Sequence, residues 1–233
     1  MAIKEGDFIE VDYTGKLKED EAIFDTTDEK LAKEAGIYSE KMEYGSVIIC
    51  VGKGQILKGL EQKFIGKKPE KFTIDLKPEE AFGKKDASLI QLIPNKKFVE
   101  NKIQPMVGLQ VNIDGTLGIV RRAGGGRILV DFNHPLSGRE ITYDINIKRM
   151  VTDKKEQIKG LLSVLMKIKP ININVEKDEA VIELKQELPE KVSEHMSKEF
   201  CEMLKLKKVI FKKAEEKKEA DKKEADKKEE QKI

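Results

Sequence analysis

The strand pattern in the first half of this chain is interrupted by a segment that is too long for a loop. Strand signals run as far as residue 76 and a turn follows at residues 78–83, but the pattern that completes the strands, Glu140 to Met150, comes only after residues 84–131. The intervening segment has strand signals of its own, at Leu109 to Ile113, Gly118 to Arg122 and Arg127 to Asp131. Structureless loops of this length are uncommon inside compact domains. The sequence therefore predicts a discontinuous first domain, residues 1–85 and 132–151, with a domain inserted at residues 86–131.

The residues before the interruption predict strands around one amphipathic helix. The strand patterns fall at residues 3–17, 22–25, 47–51 and 72–76. Apolar residues recur at helical spacing between Gln55 and Ile65, and Gly66 supplies a C-terminal stop. The dipeptide Thr14-Gly15 predicts a turn at the end of the first strand. This mixture indicates an α+β protein.

A different module begins at Thr152. Its predicted elements are a helix near Lys154 to Lys167, strands at Ile171 to Glu176 and Ala180 to Lys185, a helix at Pro189 to Leu204 and a strand at Lys207 to Phe211. We expect a small α+β domain over residues 152–212, then a charged tail, residues 213–233, that is either a solvated helix or a frayed end. The apolar stripes of the two helices exceed what so small a domain buries, which predicts a homodimer. The stripes are Ile158, Leu161, Leu162 and Leu165, then Val192, Met196, Phe200, Met203 and Leu204.

Charge and composition exclude several classes of function. The net charge of +2 gives no field that favours nucleic acid or an anionic membrane. No segment approaches the ~20 apolar residues that span a bilayer, and the N-terminus lacks a signal-peptide pattern, so we expect a cytoplasmic protein. Cys50 and Cys201 lack metal-ligand spacing and are predicted to be buried apolar residues. Motifs for a nucleophile, a metal or a phosphate loop are absent from the sequence, so we expect no cofactor and no metal.

Five short motifs in a fixed order carry a resemblance to a known family. They are Val11-Asp12-Tyr13-Thr14-Gly15, Phe24-Asp25, residues 52–61 (GKGQILKGLE), Ala81-Phe82-Gly83 and Ile141-Thr142-Tyr143-Asp144. In this order they resemble the FKBP-type peptidyl-prolyl cis-trans isomerases, over residues 3–150. The resemblance implies an antiparallel half-barrel wrapped on one short helix, and isomerase activity.

The resemblance also implies a substrate pocket. The positions that match the family's pocket are Tyr13, Phe24, Val47, Ile56, Leu57, Leu60, Phe82 and Tyr143, and Asp25 matches its single carboxylate. By analogy, the Leu57 amide and the hydroxyls of Tyr13 and Tyr143 contact substrate carbonyls or Asp25. Taken singly, such residues are usually ordinary core, and only the ordered set with Asp25 favours a site.

Prolyl isomerisation suits a pocket of this composition. Rotation about the amide crosses a barrier of ~18–20 kcal/mol, and the twisted transition state has lost its resonance. It is therefore less dipolar than the planar amide. A dry apolar pocket should lower the barrier without a nucleophile or a metal.

The insert resembles that of the SlyD-like branch of the family, in a long, archaeal-like form with an extra C-terminal domain. Its position between Ala81-Phe82-Gly83 and the motif at residues 133–138 carries this resemblance, which implies a small, mostly-β flap domain with chaperone activity. The residues predicted to bind unfolded chains are an edge strand (Leu109, Val111, Ile113), an adaptable apolar surface (Ile90, Ile93, Phe98, Met106) and Leu136. Alternatively, so small a domain needs most of these side chains for its own core. His134 is predicted to be a hydrogen-bonded residue at the junction of insert and pocket.

We therefore expect an isomerase with chaperone activity that acts on unfolded or nascent proline-containing polypeptides. The alternative is a non-catalytic holdase or assembly platform with a vestigial pocket. Ribosome binding, through the C-terminal domain or through Arg121, Arg122 and Arg127, is less favoured, since exposed arginines more often form a solvated face.

Overall fold

A computed structural model describes residues 1–214 of the chain. These residues form two compact units. The first comprises Met1–Lys4, Val11–Ser46 and Ile56–Lys148, and the second comprises Glu5–Glu10, Val47–Gln55 and residues 149–214. The domain limits expected from the sequence stay predictions. So do both alternatives for the tail, since residues 215–233 lie outside the described residues.

The strands and helices of the described residues are numbered in chain order. They are β1 (Phe8–Leu17), β2 (Ile23–Thr26), α1 (Glu29–Glu34), β3 (Val47–Cys50), α2 (Lys58–Phe64), β4 (Lys71–Leu76), β5 (Ile90–Pro94), α3 (Asn95–Glu100), β6 (Gln110–Ile113), β7 (Thr116–Gly124), β8 (Arg127–Asp131), β9 (Ile141–Met150), α4 (Lys154–Leu161), β10 (Asn172–Glu176), β11 (Glu179–Leu184), α5 (Glu190–Leu204) and β12 (Lys208–Lys213).

The main sheet of the first unit has the strand order β2-β1-β9-β4. The pairs β1–β2 and β4–β9 are antiparallel. Side chains alternate between the two faces of a strand, and every second residue of β9 from Ile141 to Ile147 is buried. Helix α2 buries Leu60 and Phe64. The expected α+β architecture, with an antiparallel sheet and a short helix, is confirmed.

Helix α2 lies directly against the 3₁₀ turn at Pro78–Glu80. Gly59 faces the Glu80 carbonyl so closely that no side chain fits between the helix and the turn. The helix therefore supports the segment that leads into Phe82.

The insert forms a four-stranded sheet of order β5-β8-β7-β6, in which all neighbours are antiparallel. Its core consists of five buried residues: Phe98, Val111, Val120, Ile128 and Val130. The sequence pattern predicts neither β5 nor α3. Strand β5 is short, ends in Pro94 and, within residues 1–214, pairs on one side, so its sequence pattern is weak.

The second unit contains the sheet β10-β11-β12, in which β10–β11 is antiparallel and β11–β12 is parallel. The helix predicted to reach Lys167 leaves the α conformation after Leu161, continues as a π turn over Leu162–Met166 and ends at Lys167 in the left-handed region. Most of the predicted apolar stripes are buried in this unit's own core, and only Leu165 and Val192 stay exposed. The stripes alone therefore do not require a dimer. Cys50 is buried in this core and Cys201 packs against it.

Within residues 1–214, every helix is too short or too polar to cross a lipid bilayer.

Candidate active site

Four aromatic rings from distant parts of the sequence meet in the first unit. The ring centroids of Tyr13 and Tyr143 lie 6.0 Å apart. Phe24 lies 5.7 Å from Tyr143 and 6.0 Å from Phe82. All three pairs meet edge to face, an arrangement that the charge distribution of aromatic rings favours. The structure thus brings together all four predicted aromatic residues of the pocket.

Asp25 adds a carboxylate to this aromatic cluster. Strand β2 pairs with β1 so that Asp25 lies opposite Gly15. The Asp25 carboxylate accepts hydrogen bonds from the Tyr13 hydroxyl and from the backbone N–H of Thr26. Burial raises the pKa of Asp25, and the two hydrogen bonds oppose that rise only in part. The carboxylate is therefore a partly desolvated group whose charged form is held by two donors.

The two tyrosine hydroxyls keep their protons at neutral pH. Burial, followed by the charge of Asp25 and the hydrogen bond to it, raises the pKa of Tyr13 to about 12. Burial also raises the pKa of Tyr143, with smaller contributions from Asp25 and Tyr13. Protonated hydroxyls donate hydrogen bonds, so both can serve as donors inside the pocket.

Gly15 lets the aromatic rings approach the backbone of β1. A Cβ at this position would lie 2.8 Å from Phe24 Cζ and 2.8 Å from Tyr143 Cε1. The turn predicted at Thr14-Gly15 is wrong, because β1 continues to Leu17 and Gly15 pairs with Asp25 inside the sheet. The glycine is needed here for close packing against the rings, which the sequence alone does not reveal.

The remaining predicted pocket residues lie near α2, with one exception. Ile56 and Leu57 are half-buried and directly precede the helix, and Leu60 is buried within it. The Leu57 carbonyl accepts the N–H groups of Leu60 and Glu61, which begins the helix. Val47 begins β3, is half-buried and belongs to the second unit.

Leu136 and His134 lie in the turn that follows the insert. Leu136 is half-buried, and its N–H donates to His134 Nδ1 at 3.2 Å. His134 is thus hydrogen-bonded, as the sequence predicts.

The apolar residues predicted as a client surface on the insert fall into three groups: buried, half-buried and exposed. Phe98 and Val111 are buried in the insert's core and do not lie on its surface, so a role of these two in client binding stays a prediction from the sequence. A domain this small needs Phe98, the buried residue of helix α3, for its own core. Ile93, Leu109 and Ile113 are half-buried against that core.

Other apolar side chains of the insert are exposed. Ile90 and Met106 were predicted to face the solvent, and they do. Five further exposed residues carry no sequence signal that separates them from core: Leu89, Leu92, Val99, Val107 and Leu117. Strand β6 lies at an edge of the insert's sheet. An apolar surface and an edge strand therefore exist, but their composition differs from the prediction.

Among the described residues, His, Cys, Asp and Glu side chains form no group of three or more that could hold a metal ion.

Comparison with known protein families gives two matches. The family model "FKBP-type peptidyl-prolyl cis-trans isomerase" matches residues 1–104. A second model, "FKBP26, IF domain", matches residues 91–136, which include most of the insert.

Three curated relatives carry isomerase names. The short-type peptidyl-prolyl cis-trans isomerase of Methanocaldococcus jannaschii is 33% identical over 147 residues, which cover 63% of this chain and 92% of the relative. The FKBP-type 16 kDa isomerase of Escherichia coli K12 is 36% identical, over 42% of this chain and 68% of the relative. The isomerase SlyD of Pasteurella multocida is 28% identical, over 52% of this chain and 60% of the relative. The pocket geometry and these matches agree, and the chain belongs to the family of FKBP-type peptidyl-prolyl cis-trans isomerases.

Proposed function

We propose that this isomerase accelerates the folding of unfolded or nascent proline-containing polypeptides, with catalysis around Asp25 and capture of the polypeptide by the insert. The observation that carries the proposal is the cluster of edge-to-face rings around a single hydrogen-bonded carboxylate. Such a site has an apolar interior and few, fixed polar groups, as small-ligand pockets have.

The pocket lowers the rotational barrier by treating the two states of the prolyl amide differently. The planar amide is the more dipolar state, so moving it from water into an apolar cage disfavours it relative to the twisted transition state. In the twisted amide the nitrogen lone pair is no longer shared with the carbonyl. Covalent chemistry is therefore unnecessary.

Hydrogen bonds orient the substrate within the pocket. The Tyr143 hydroxyl is protonated at neutral pH and donates to a substrate carbonyl. Tyr13 donates to Asp25 and thereby holds the charged carboxylate in place. The Leu57 N–H, at the start of α2, is the proposed donor to a second carbonyl. Ile56 and Leu60 complete the apolar lining in this proposal, and the role of Val47 stays a prediction from the sequence.

The insert raises the local concentration of polypeptide beside the pocket. Its exposed apolar side chains and the edge strand β6 suit an extended, unfolded segment, which pairs by strand addition. Linking two weak binding sites in one chain raises the overall affinity for a polypeptide that reaches both, without any new contact.

The second unit is proposed to form a homodimer. In its support, Leu165, Val192 and Ile171 remain exposed, the last at 60%, and β10 and β12 are unpaired along their outer edges within the described residues. Sedimentation at micromolar concentration tests this proposal, and a monomer would contradict it. A cytoplasmic location and ribosome binding stay predictions from the sequence.

The division of labour is tested with two kinds of substrate. Asp25→Ala and Tyr13→Phe should lower turnover of a short prolyl peptide by about tenfold or more, because each removes a hydrogen bond to a charged group. Deletion of residues 87–130 should spare that peptide and slow the refolding of a proline-limited protein. A short linker suffices for the deletion, because the two ends of the insert lie side by side: the Asp86 N–H donates to Asn133 Oδ1 at 2.8 Å. Equal losses on both substrates would contradict the proposal.

The exposed surface of the insert also favours a second function, a holdase with a vestigial pocket. Such a protein would suppress aggregation and leave the peptide isomerisation rate unchanged.

A further inference from the structure

His134 stacks flat on the ring of Phe82. The two ring centroids lie 4.6 Å apart and the planes differ by 3°. Phe82 meets Phe24 edge to face on the pocket side. His134 is exposed, so its imidazole covers the Phe82 ring at the protein surface.

Phe82 has little support from regular secondary structure. It follows the 3₁₀ turn at Pro78–Glu80 and precedes Gly83, whose φ of 77° lies in the left-handed region. The backbone of this segment is held by Gly83 N–H, which donates to the Pro78 carbonyl at 2.7 Å. That bond fixes the backbone and leaves the ring free to change rotamer unless neighbours hold it.

The turn at residues 133–138 binds the same segment from the outside. Ser137 Oγ donates to the Phe82 carbonyl at 2.9 Å, and Gly138 N–H donates to the Gly83 carbonyl at 2.8 Å. His134 is oriented within the turn, since its Nδ1 accepts the Leu136 N–H and its carbonyl accepts the Ser137 N–H at 2.9 Å. The imidazole therefore has a fixed plane, parallel to the Phe82 ring.

We infer that His134 is a positioning residue of the isomerase, whose imidazole holds the Phe82 ring as a wall of the pocket. It acts through Phe82 and touches no reacting atom. The inference rests on the proposed role of the pocket, and it assigns to the turn after the insert a function in catalysis.

Two substitutions separate the stack from the hydrogen bond. His134→Phe keeps an aromatic ring and loses the acceptor for Leu136 N–H. His134→Asn loses the ring and keeps an acceptor, because asparagine caps the N–H two residues on, and Asn-Pro favours such a turn. His195→Asn, on the exposed surface of α5, is the matched control.

The test is kcat/KM of the full-length protein on a short prolyl peptide, with urea unfolding as a check on folding. We expect His134→Asn to lose about two- to tenfold, the range that one aromatic contact supports. His134→Phe should stay within about twofold of the unsubstituted protein, since stacking is retained. The rescue by phenylalanine is the readout that a purely structural hydrogen bond would not give.

Three results would overturn the inference: full activity in His134→Asn, a larger loss in His134→Phe than in His134→Asn, or an equal loss in His195→Asn. An unsubstituted protein without peptide isomerase activity would instead refute the proposed function of the pocket, which distinguishes the two failures.

Discussion

Gly15→Ala should damage the pocket directly, because the new methyl group would occupy space that two aromatic rings now fill. Its Cβ would lie 2.8 Å from Phe24 Cζ and 2.9 Å from Tyr143 Cζ. Carbon atoms in contact normally lie ~3.5–4.0 Å apart, so the rings must withdraw by about 0.7 Å or more. Overpacking of this kind lowers the free energy of unfolding by about 1–3 kcal/mol.

The catalytic loss from Gly15→Ala should be larger than the loss of stability suggests. A misplacement of ~1 Å can reduce turnover by about 100-fold, so we expect kcat/KM on a short prolyl peptide to fall by at least about tenfold. The assay is peptide isomerisation at a temperature where urea unfolding shows the variant fully folded.

Gly118→Ala supplies a matched control in the insert. A Cβ there would lie 2.6 Å from Val130 Cγ1 and 2.8 Å from Phe132 Cδ1, a similar overlap between side chains of the insert's sheet and its core. This variant should weaken aggregation suppression and leave peptide turnover unchanged. Normal peptide turnover in folded Gly15→Ala, or equal losses in both variants, would refute the reasoning.

Two further substitutions probe the polar groups. Asp25→Asn should stabilise the protein at neutral pH. Burial raises the pKa of Asp25 in the folded protein, so the protonated carboxyl stabilises the fold fully below the unfolded pKa, and this stabilisation is lost as the pH rises through the folded pKa. Asparagine carries no charge and keeps the stabilisation at neutral pH. Urea unfolding across a pH series checks this, and a stability difference that persists at acidic pH would contradict it. Asn133→Ala should loosen the two ends of the insert relative to each other by about 1–3 kcal/mol, because it removes the side-chain hydrogen bonds of Asn133 to the backbone N–H and carbonyl of Asp86 and to Asp131 Oδ1. Faster hydrogen exchange at the Asp86 amide would show the loosening, and unchanged exchange would exclude it.

The order of the motifs was sufficient to predict the aromatic cluster and Asp25. Tyr13, Phe24 and Tyr143 lie on neighbouring strands of one sheet, so a correct fold assignment places them together. Helix α2 was predictable for a different reason, since its apolar spacing and Gly66 mark both its face and its end.

Other features depend on contacts between residues far apart in sequence. The stack of His134 on Phe82 joins positions on either side of the insert, and the identity of the two residues does not predict it. Likewise, Thr14-Gly15 has the composition of a turn, and only the packing of Phe24 and Tyr143 explains the glycine inside a strand.

In a domain as small as the insert, the spacing of apolar residues does not predict which of them are buried. An apolar residue such as Phe98 suits a client surface and a core equally well, and the choice depends on which side chains the few strands can cover. The exposed residues Val99 and Val107 have the same apolar character as their buried neighbours. Their exposure could be read only from the structure.

The central claim is that the pocket around Asp25 catalyses prolyl isomerisation on polypeptides captured by the insert. Its most direct test is the refolding rate of a proline-limited protein in the presence of the full chain or of the Asp25→Ala variant. The account predicts that the full chain accelerates the slow phase, whereas the variant accelerates it far less and still suppresses aggregation. Suppression of aggregation by the full chain without any acceleration would contradict the account and identify a holdase.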